Sequence, residues 1–536
     1  MLLRSDLLFQ PRSLTIQSIK NKKYFRSISI PWFYGIWISQ VSYKQNSWKK
    51  YRNLIPHISL SSKYIRTIFR MYRPKKVVLN SYIRDHTSLL RILRKSYSIE
   101  SLSWSVKTYS IEAKEFGLLC ITVSRLQKLK SLKIVLDYSM KLVDFNMIIL
   151  GVSISRLKLT DLLLQFSFNS LTDTGISNLS RYISKIRTLQ NLELGISHGK
   201  KFKGKGLLDL KKSLSLLSNL QAFVLNLDWT VIDNKGLETL FNIQKTKLFP
   251  SFGMNLSNCT ELNKTIGEDI RQMLEQQSTW KSLSLQLDYR HIIGIYFPKI
   301  ANVESIELKI SESLGESFSK SETQDAALKN VLNIISNIEN TKSLSLDFLI
   351  KGKLKSELFG VVSRLLSKLR ELENLSLGFK FNVSPRCEEE LAELFAAISK
   401  LKNLRKLTLK TNARGVRHSV IHSLRDCLSN LGNTLTSLVI HLDYAFVTDE
   451  GLSYLAKGVR TLKKLRVLDL LFDYPLSISD EGIKIFADSI SEIRLLEKVC
   501  LGFPVHSVLE GQSNMTNESC RYIANQLKNF TYLRYL

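Results

Sequence analysis

From residue 99 onward the chain moves between two hydrophobic rhythms. A Leu-x-x-Leu-x-Leu unit, usually with another apolar residue two places on, recurs along the chain. Its second leucine-type position falls at Leu102, Leu132, Leu162, Leu192, Phe223, Phe252, Leu283, Ile306, Leu344, Leu375, Leu407, Leu438, Leu468 and Val499, with a truncated copy at Leu536. Most intervals are 30 to 32 residues, and the departures lie near Phe252 and Ile306 and in the last step, where 311–325 and 505–517 read as insertions. At the anchors the apolar residues alternate (Leu283, Leu285, Leu287; Leu438, Ile440, Leu442), the period-two pattern of a strand. Between anchors the spacing becomes helical: Leu452, Leu455, Val459 and Leu462 follow Gly451, and Ile483, Phe486, Ile490 and Ile493 follow Gly482. Each unit is predicted to be a short strand, a loop and a helix. Neither element can bury its apolar face alone, so neighbouring units must stack into one continuous core.

The loops carry matching turn chemistry. Thr172-Asp173-Thr174-Gly175, Asp233-Asn234-Lys235-Gly236, Thr448-Asp449-Glu450-Gly451 and Ser479-Asp480-Glu481-Gly482 each fall between strand and helix. Thr, Ser or Asp there can cap the helix start, and acids in its first turn suit the helix dipole. On these residues the chain resembles leucine-rich repeat proteins of the ribonuclease-inhibitor-like type, and Thr448–Leu470 (TDEGLSYLAKGVRTLKKLRVLDL) is a representative unit. The resemblance covers roughly residues 99–536 in about 14 units, and in composition the chain is similar to divergent ciliate repeat arrays. It implies an α/β leucine-rich repeat solenoid with a parallel sheet on the concave side and helices outside, built for binding rather than catalysis. The expected organisation is a basic, aromatic-rich extension (1–75), an N-terminal cap (76–98) and the solenoid (99–536).

Charge adds a partner to this picture. The formal net charge is +30, and residues 1–99 hold 20 Lys and Arg against only Asp6 and Asp85. So lopsided a distribution points to an anionic partner or a targeting address. The six cysteines are scattered without a close pair, which argues against a disulfide framework. No apolar run reaches the roughly 18 residues that span a bilayer.

Several motifs invite a catalytic reading and fail on their chemistry. Gly199–Gly206 (GKKFKGKG) imitates a P-loop, but Gly206 stands where a magnesium-ligating Ser or Thr is needed, and it occupies the repeat's own pre-helix position. Its lysines Lys200, Lys201, Lys203 and Lys205 still form a basic knob able to meet phosphates, a solvated loop being the alternative. His418 and His422 have zincin spacing, but Ser419 replaces the general-base Glu. Glu388 to Glu390 read as capping charge. No catalytic residue, cofactor or metal site is expected.

Asp137-Tyr138, Asp228-Trp229, Asp288-Tyr289, Asp443-Tyr444 and Asp473-Tyr474 all place the Asp five residues after an anchor. The resemblance implies a backbone-bonding position there, and an acid-and-aromatic strip gripping a basic peptide is the functional alternative. Solvent-facing strand positions, namely Lys133, Glu193, Asn226, Gln286, Lys309 and His441, are the candidates for reading a protein ligand on the concave face.

The extension interleaves cations (Lys22, Lys23, Arg26, Lys49, Lys50, Arg52) with aromatics (Trp32, Phe33, Trp37, Trp48). Residues 62–74 then read as a basic amphipathic helix carrying Arg66, Arg70 and Arg73, with Lys75 and Lys76 just beyond. Cations neutralise phosphates and aromatics stack on bases. Three readings stay open: a mitochondrial targeting sequence, an RNA-anchoring arm, and a peripheral membrane helix. Together these features point to a scaffold in a larger complex. Its repeats would bind protein partners while its arm meets a ribonucleoprotein, the mitochondrial ribosome being the favoured example. The alternative is a soluble, cytoplasmic protein-binding adaptor or inhibitor without RNA contact. The chain ends inside a strand motif, which implies a partner over that edge or a frayed half-unit.

Overall fold

The computed structural model describes residues 75–81, 98–106, 111–138, 140–241, 249–263, 265–275, 280–288, 303–311, 341–349, 357–379, 387–412, 418–443, 447–473, 478–503 and 516–533, with strand 13–16 and residues 90, 93, 94 and 291. Two compact units meet in sequence between Gln277 and Ser278. In the first, parallel strands follow chain order from Ser13–Ile16 and Lys76–Ser81 through Ser101–Val106, Ser131–Leu136, Asp161–Phe166, Asn191–Gly195 and Ala222–Asn226 to Ser251–Asn255. In the second they run from Ser282–Asp288 and Ser305–Ser311 through Ser343–Leu349, Asn374–Phe379, Lys406–Asn412, Ser437–Asp443 and Val467–Asp473 to Lys498–Gly502. Helices such as Asp144–Ile154, Asp173–Ile183, Asp449–Arg460 and Asp480–Ser491 connect successive strands. Each unit is an α/β, solenoid-like repeat.

The anchors set the register. Leu102, Leu132, Leu162, Leu192, Phe223 and Phe252 stand opposite one another in succession. In the second unit Leu283, Ile306, Leu344, Leu375, Leu407, Leu438, Leu468 and Val499 do the same. Val77 pairs with Leu102, so the segment read as a cap contributes a strand in the same register. Anchors are buried, as are the residues two places on except the half-buried Leu501, and the helices bury Leu452, Leu455 and Val459, or Ile483, Phe486 and Ile490, against them. A fully buried side chain of this kind contributes about 1.5–3 kcal/mol. A one-residue slip would turn a whole strand's apolar set outward, so the register is strongly fixed.

Polar contacts bind successive helix starts. Asp144, at the first position of its helix, accepts from the Thr172 amide (2.8 Å) and hydroxyl (2.6 Å) of the next unit. Asp449 accepts from the Ser479 amide (2.8 Å) and hydroxyl (2.6 Å) in the same manner. Thr172 and Ser479 are themselves N-caps, their hydroxyls accepting from the Thr174 and Glu481 amides. The glycine of each motif follows from this contact. A Cβ on Gly175 would run into the Asp144 carboxylate, and one on Gly482 into that of Asp449. The Thr/Ser-Asp-x-Gly pattern thus encodes a clamp between neighbours as well as a cap.

Candidate functional site

Alternation along the strands buries one face under the helices and leaves the intervening positions half-buried or exposed. Lys133, Glu193 and Asn226 lie on that open face in the first unit, and Gln286, Lys309 and His441 on it in the second. Burial pushes the Glu193 carboxyl up, with the Lys133 charge opposing. Asn226 bonds locally, its side-chain oxygen accepting from the Asp228 amide at 3.0 Å, so it supports its own turn. Gln286 and Lys309 are direct neighbours across paired strands.

His441 Nε2 lies 3.3 Å from Asp469 Oδ1, and the imidazole holds that carboxyl below its ordinary value. The Cys500 thiol, hydrogen-bonded to the same Asp469, is raised by burial and by that negative charge. Here the acid lies between imidazole and thiol, and a thiol held protonated is a weak nucleophile. Sequence reasoning did not single out Asp469 or Cys500, because their neighbourhood exists only once three strands are in register. No group of three or more His, Cys, Asp or Glu side chains among the described residues could hold a metal ion. His422 lies 3.4 Å from Asp426 and packs edge-on against Tyr454.

The strand ends in the first unit form a second surface. Tyr138, Phe168, His198 and Trp229 stack in a column with ring centroids 5.3, 4.0 and 5.3 Å apart and interplanar angles of 9–14°. All lie six residues after an anchor, and Phe168, His198, Trp229 and the following Asn258 have left-handed φ of 49–60°. Their amides continue the sheet's bonding pattern: Phe168 to the Ser197 carbonyl, His198 to that of Asp228, Trp229 to that of Ser257. That hold fixes the rings at about the strand spacing of ~4.8 Å.

Asp228 accepts from Asn258 Nδ2 (3.1 Å) and buried Asp288 from Ser311 Oγ (3.0 Å), both side-chain contacts. Side chains that bond the backbone also stand two places further on. Asn169 donates to the Phe166 carbonyl and accepts from the Leu171 amide, Thr230 donates to the Leu227 carbonyl, and Cys259 bonds the same carbonyl.

The lysine loop belongs to this rim. Lys200, Lys201, Lys203 and Lys205 are exposed while Phe202 plugs the loop from beneath. The Gly206 amide donates to Asp173 Oδ1 (2.9 Å) and the Lys203 amide to Oδ2 (3.3 Å). These amides, which a P-loop would turn towards phosphate, are occupied by the protein's own carboxylate.

The opposite rim holds the strand starts. Lys75 and Lys76 are exposed there, and Lys75 pairs with Glu100 at 3.1 Å. Because the strands are parallel, these two lysines and the 200–205 loop lie at opposite ends of the strands rather than in one patch. Lys22, Lys23, Arg26, Trp32, Phe33, Trp37, Trp48, Lys49, Lys50, Arg52, Arg66, Arg70 and Arg73 lie outside the described residues, as do Tyr289, Tyr444, Tyr474 and most of the expected insertions. No helix among the described residues is long and apolar enough to cross a membrane. The chain matches no protein-family model, and a search of the curated proteins finds no relative.

Proposed function

We propose that the units are leucine-rich repeats of the ribonuclease-inhibitor-like type, and that the protein is a non-catalytic scaffold. Its open sheet faces receive protein partners, and its basic arm anchors it to an RNA-containing assembly, the mitochondrial ribosome being the favoured candidate. The observation carrying this reading is the concentration of charge: 20 cations against two acids within the first 99 residues, interleaved with aromatics. Polymer phosphates are the partner such a segment fits best, because each neutralised phosphate releases counterions. The half-buried polar positions of the sheet, with Glu193 and the His441–Asp469 pair, suit recognition of a protein surface.

The test is sedimentation of a native extract through a density gradient, with and without RNase and at two salt levels. Co-migration with a large particle, released by RNase or salt, is the expected result. Migration as a small complex indifferent to RNase would replace this reading with that of a cytoplasmic protein-binding adaptor.

A further inference from the structure

At the strand-start rim of the first unit, three successive helix-to-strand turns (124–131, 155–160 and 184–190) contain no acid. They expose Lys128, Lys130, Arg156, Lys158, Lys185 and Arg187. None of the six makes an ion pair among the described residues. Lys185 lies over the Tyr182 ring (4.9 Å) and Arg187 donates to the Leu216 carbonyl. The nearby acids are engaged: Glu100 by Lys75, with the charges of Lys130 and Lys128 also acting on it, and Asp161 by Thr160 Oγ1 and Asn191 Nδ2, both at 2.6 Å.

Helix C-termini favour cations in any repeat of this kind, so the second unit serves as an internal control. Its corresponding turns pair part of their cations with acids from the neighbouring turn, Lys342 with Glu304 (3.6 Å), Arg405 with Glu373 (3.6 Å), Arg460 with Glu492 (2.7 Å) and Arg466 with Glu497, while the exposed Lys400, Lys402, Lys464 and Arg494 make no ion pair among the described residues. The first unit differs in that three successive turns leave all six of these cations without an acid partner among the described residues. Nor does this rim suit a bilayer, because none of the exposed large hydrophobic side chains falls in the three turns. What remains is a file of cations repeating at the strand spacing of ~4.8 Å, with the Lys75–Glu100 pair and the exposed Lys76 on its N-terminal side.

We propose that this rim is a docking edge for the phosphate backbone of an RNA strand. The proposal rests on the RNA-anchoring reading for its choice of polymer, but it concerns different residues and is tested apart from it.

The experiment uses the full chain and a labelled oligouridine, read by fluorescence anisotropy across a salt series. Substituting Lys128, Arg156, Lys158 and Arg187 by Ala is expected to weaken binding at low salt by about tenfold or more. It should also flatten the log-log salt slope by about 3, four contacts at ~0.7 each. Lys128→Arg with Lys158→Arg retains binding, as does a variant with the paired cations Lys342 and Arg405 changed to Ala. An unchanged slope in the four-fold variant, with its thermal transition intact, overturns the proposal. So does tighter capture by phosphatidylserine vesicles or polyglutamate than by oligouridine. Neutralising Lys22, Lys23, Arg26, Lys49, Lys50 and Arg52 instead tests the arm. If that leaves particle association intact while the rim variant loses oligouridine, the arm reading fails and the rim proposal stands.

Discussion

The carboxylate of Asp449 bonds the next unit's N-cap and presses against its Gly482, so the two positions are energetically one. Asp449→Ala is expected to lower stability by about 1.5–3 kcal/mol, as for a lost charge-assisted hydrogen bond, and Gly482→Ala by about 1–3 kcal/mol through steric conflict. The double variant should cost less than the sum, because the added methyl then meets no carboxylate. Denaturant melts of the three proteins check this, and strict additivity would show that the residues do not interact. A related contact gives a pH signature. The hydroxyl and amide donors of Ser519 and Thr516 hold the Asp480 carboxyl down at about 2. A value depressed in the folded state means that the contribution is complete above the ordinary value of 3.8 and is lost as pH falls through about 2. Helix Asn517–Leu527 is therefore expected to lose amide protection over that interval, whereas Asp480→Asn, weaker at neutral pH, should show no such step.

The left-handed residue after each of four strands in the first unit reverses a usual preference. Phe168 stacks on both neighbours at φ 49°, a conformation that penalises any side chain lacking compensating contacts. Phe168→Ala is expected to cost about 1–3 kcal/mol in lost stacking, and Phe168→Gly less than that, because glycine occupies this φ freely. Thermal denaturation of the pair is decisive: an alanine variant as stable as the glycine one would mean the backbone relaxes once the ring is gone. Strand and helix positions were legible in the sequence because burial imposes periods of two and 3.6, and the anchors that mark the strands pair in register. The column was half legible. Tyr138 and Trp229 stood beside an aspartate and drew notice, while Phe168 and His198 follow Ser167 and Ser197 and did not. Left-handed φ leaves no residue signature when phenylalanine and tryptophan adopt it, so the backbone bonds of Asn169, Thr230 and Cys259 were not readable either. The Asp469–Cys500 contact joins residues from adjacent units, and periodicity gives the register that makes it without naming the side chains that meet.

Across the molecule, the same helix-to-strand turn serves two purposes. In the second unit part of its charge is neutralised by cross-repeat acids, whereas in three successive turns of the first the cations stay bare, so salt should act on binding by the first unit more than on the stability of either. Contacts between nearest neighbours dominate, and such arrays gain stability by adding intrinsic and interfacial terms along the chain. The clamp from each helix start to the next has an outcome for the gene as much as for the fold. Excising residues 449–479, a span of 31, joins Thr448 directly to Asp480 and recreates Thr-Asp-Glu-Gly across the junction. A deletion of that length is expected to give a shorter protein that still unfolds cooperatively, whereas removing 449–464 should leave a chain that does not, a difference that circular dichroism melts would display. A clamp reaching one unit ahead therefore sets the quantum in which this coding sequence can lengthen or contract by unequal crossing-over and still specify a folded product.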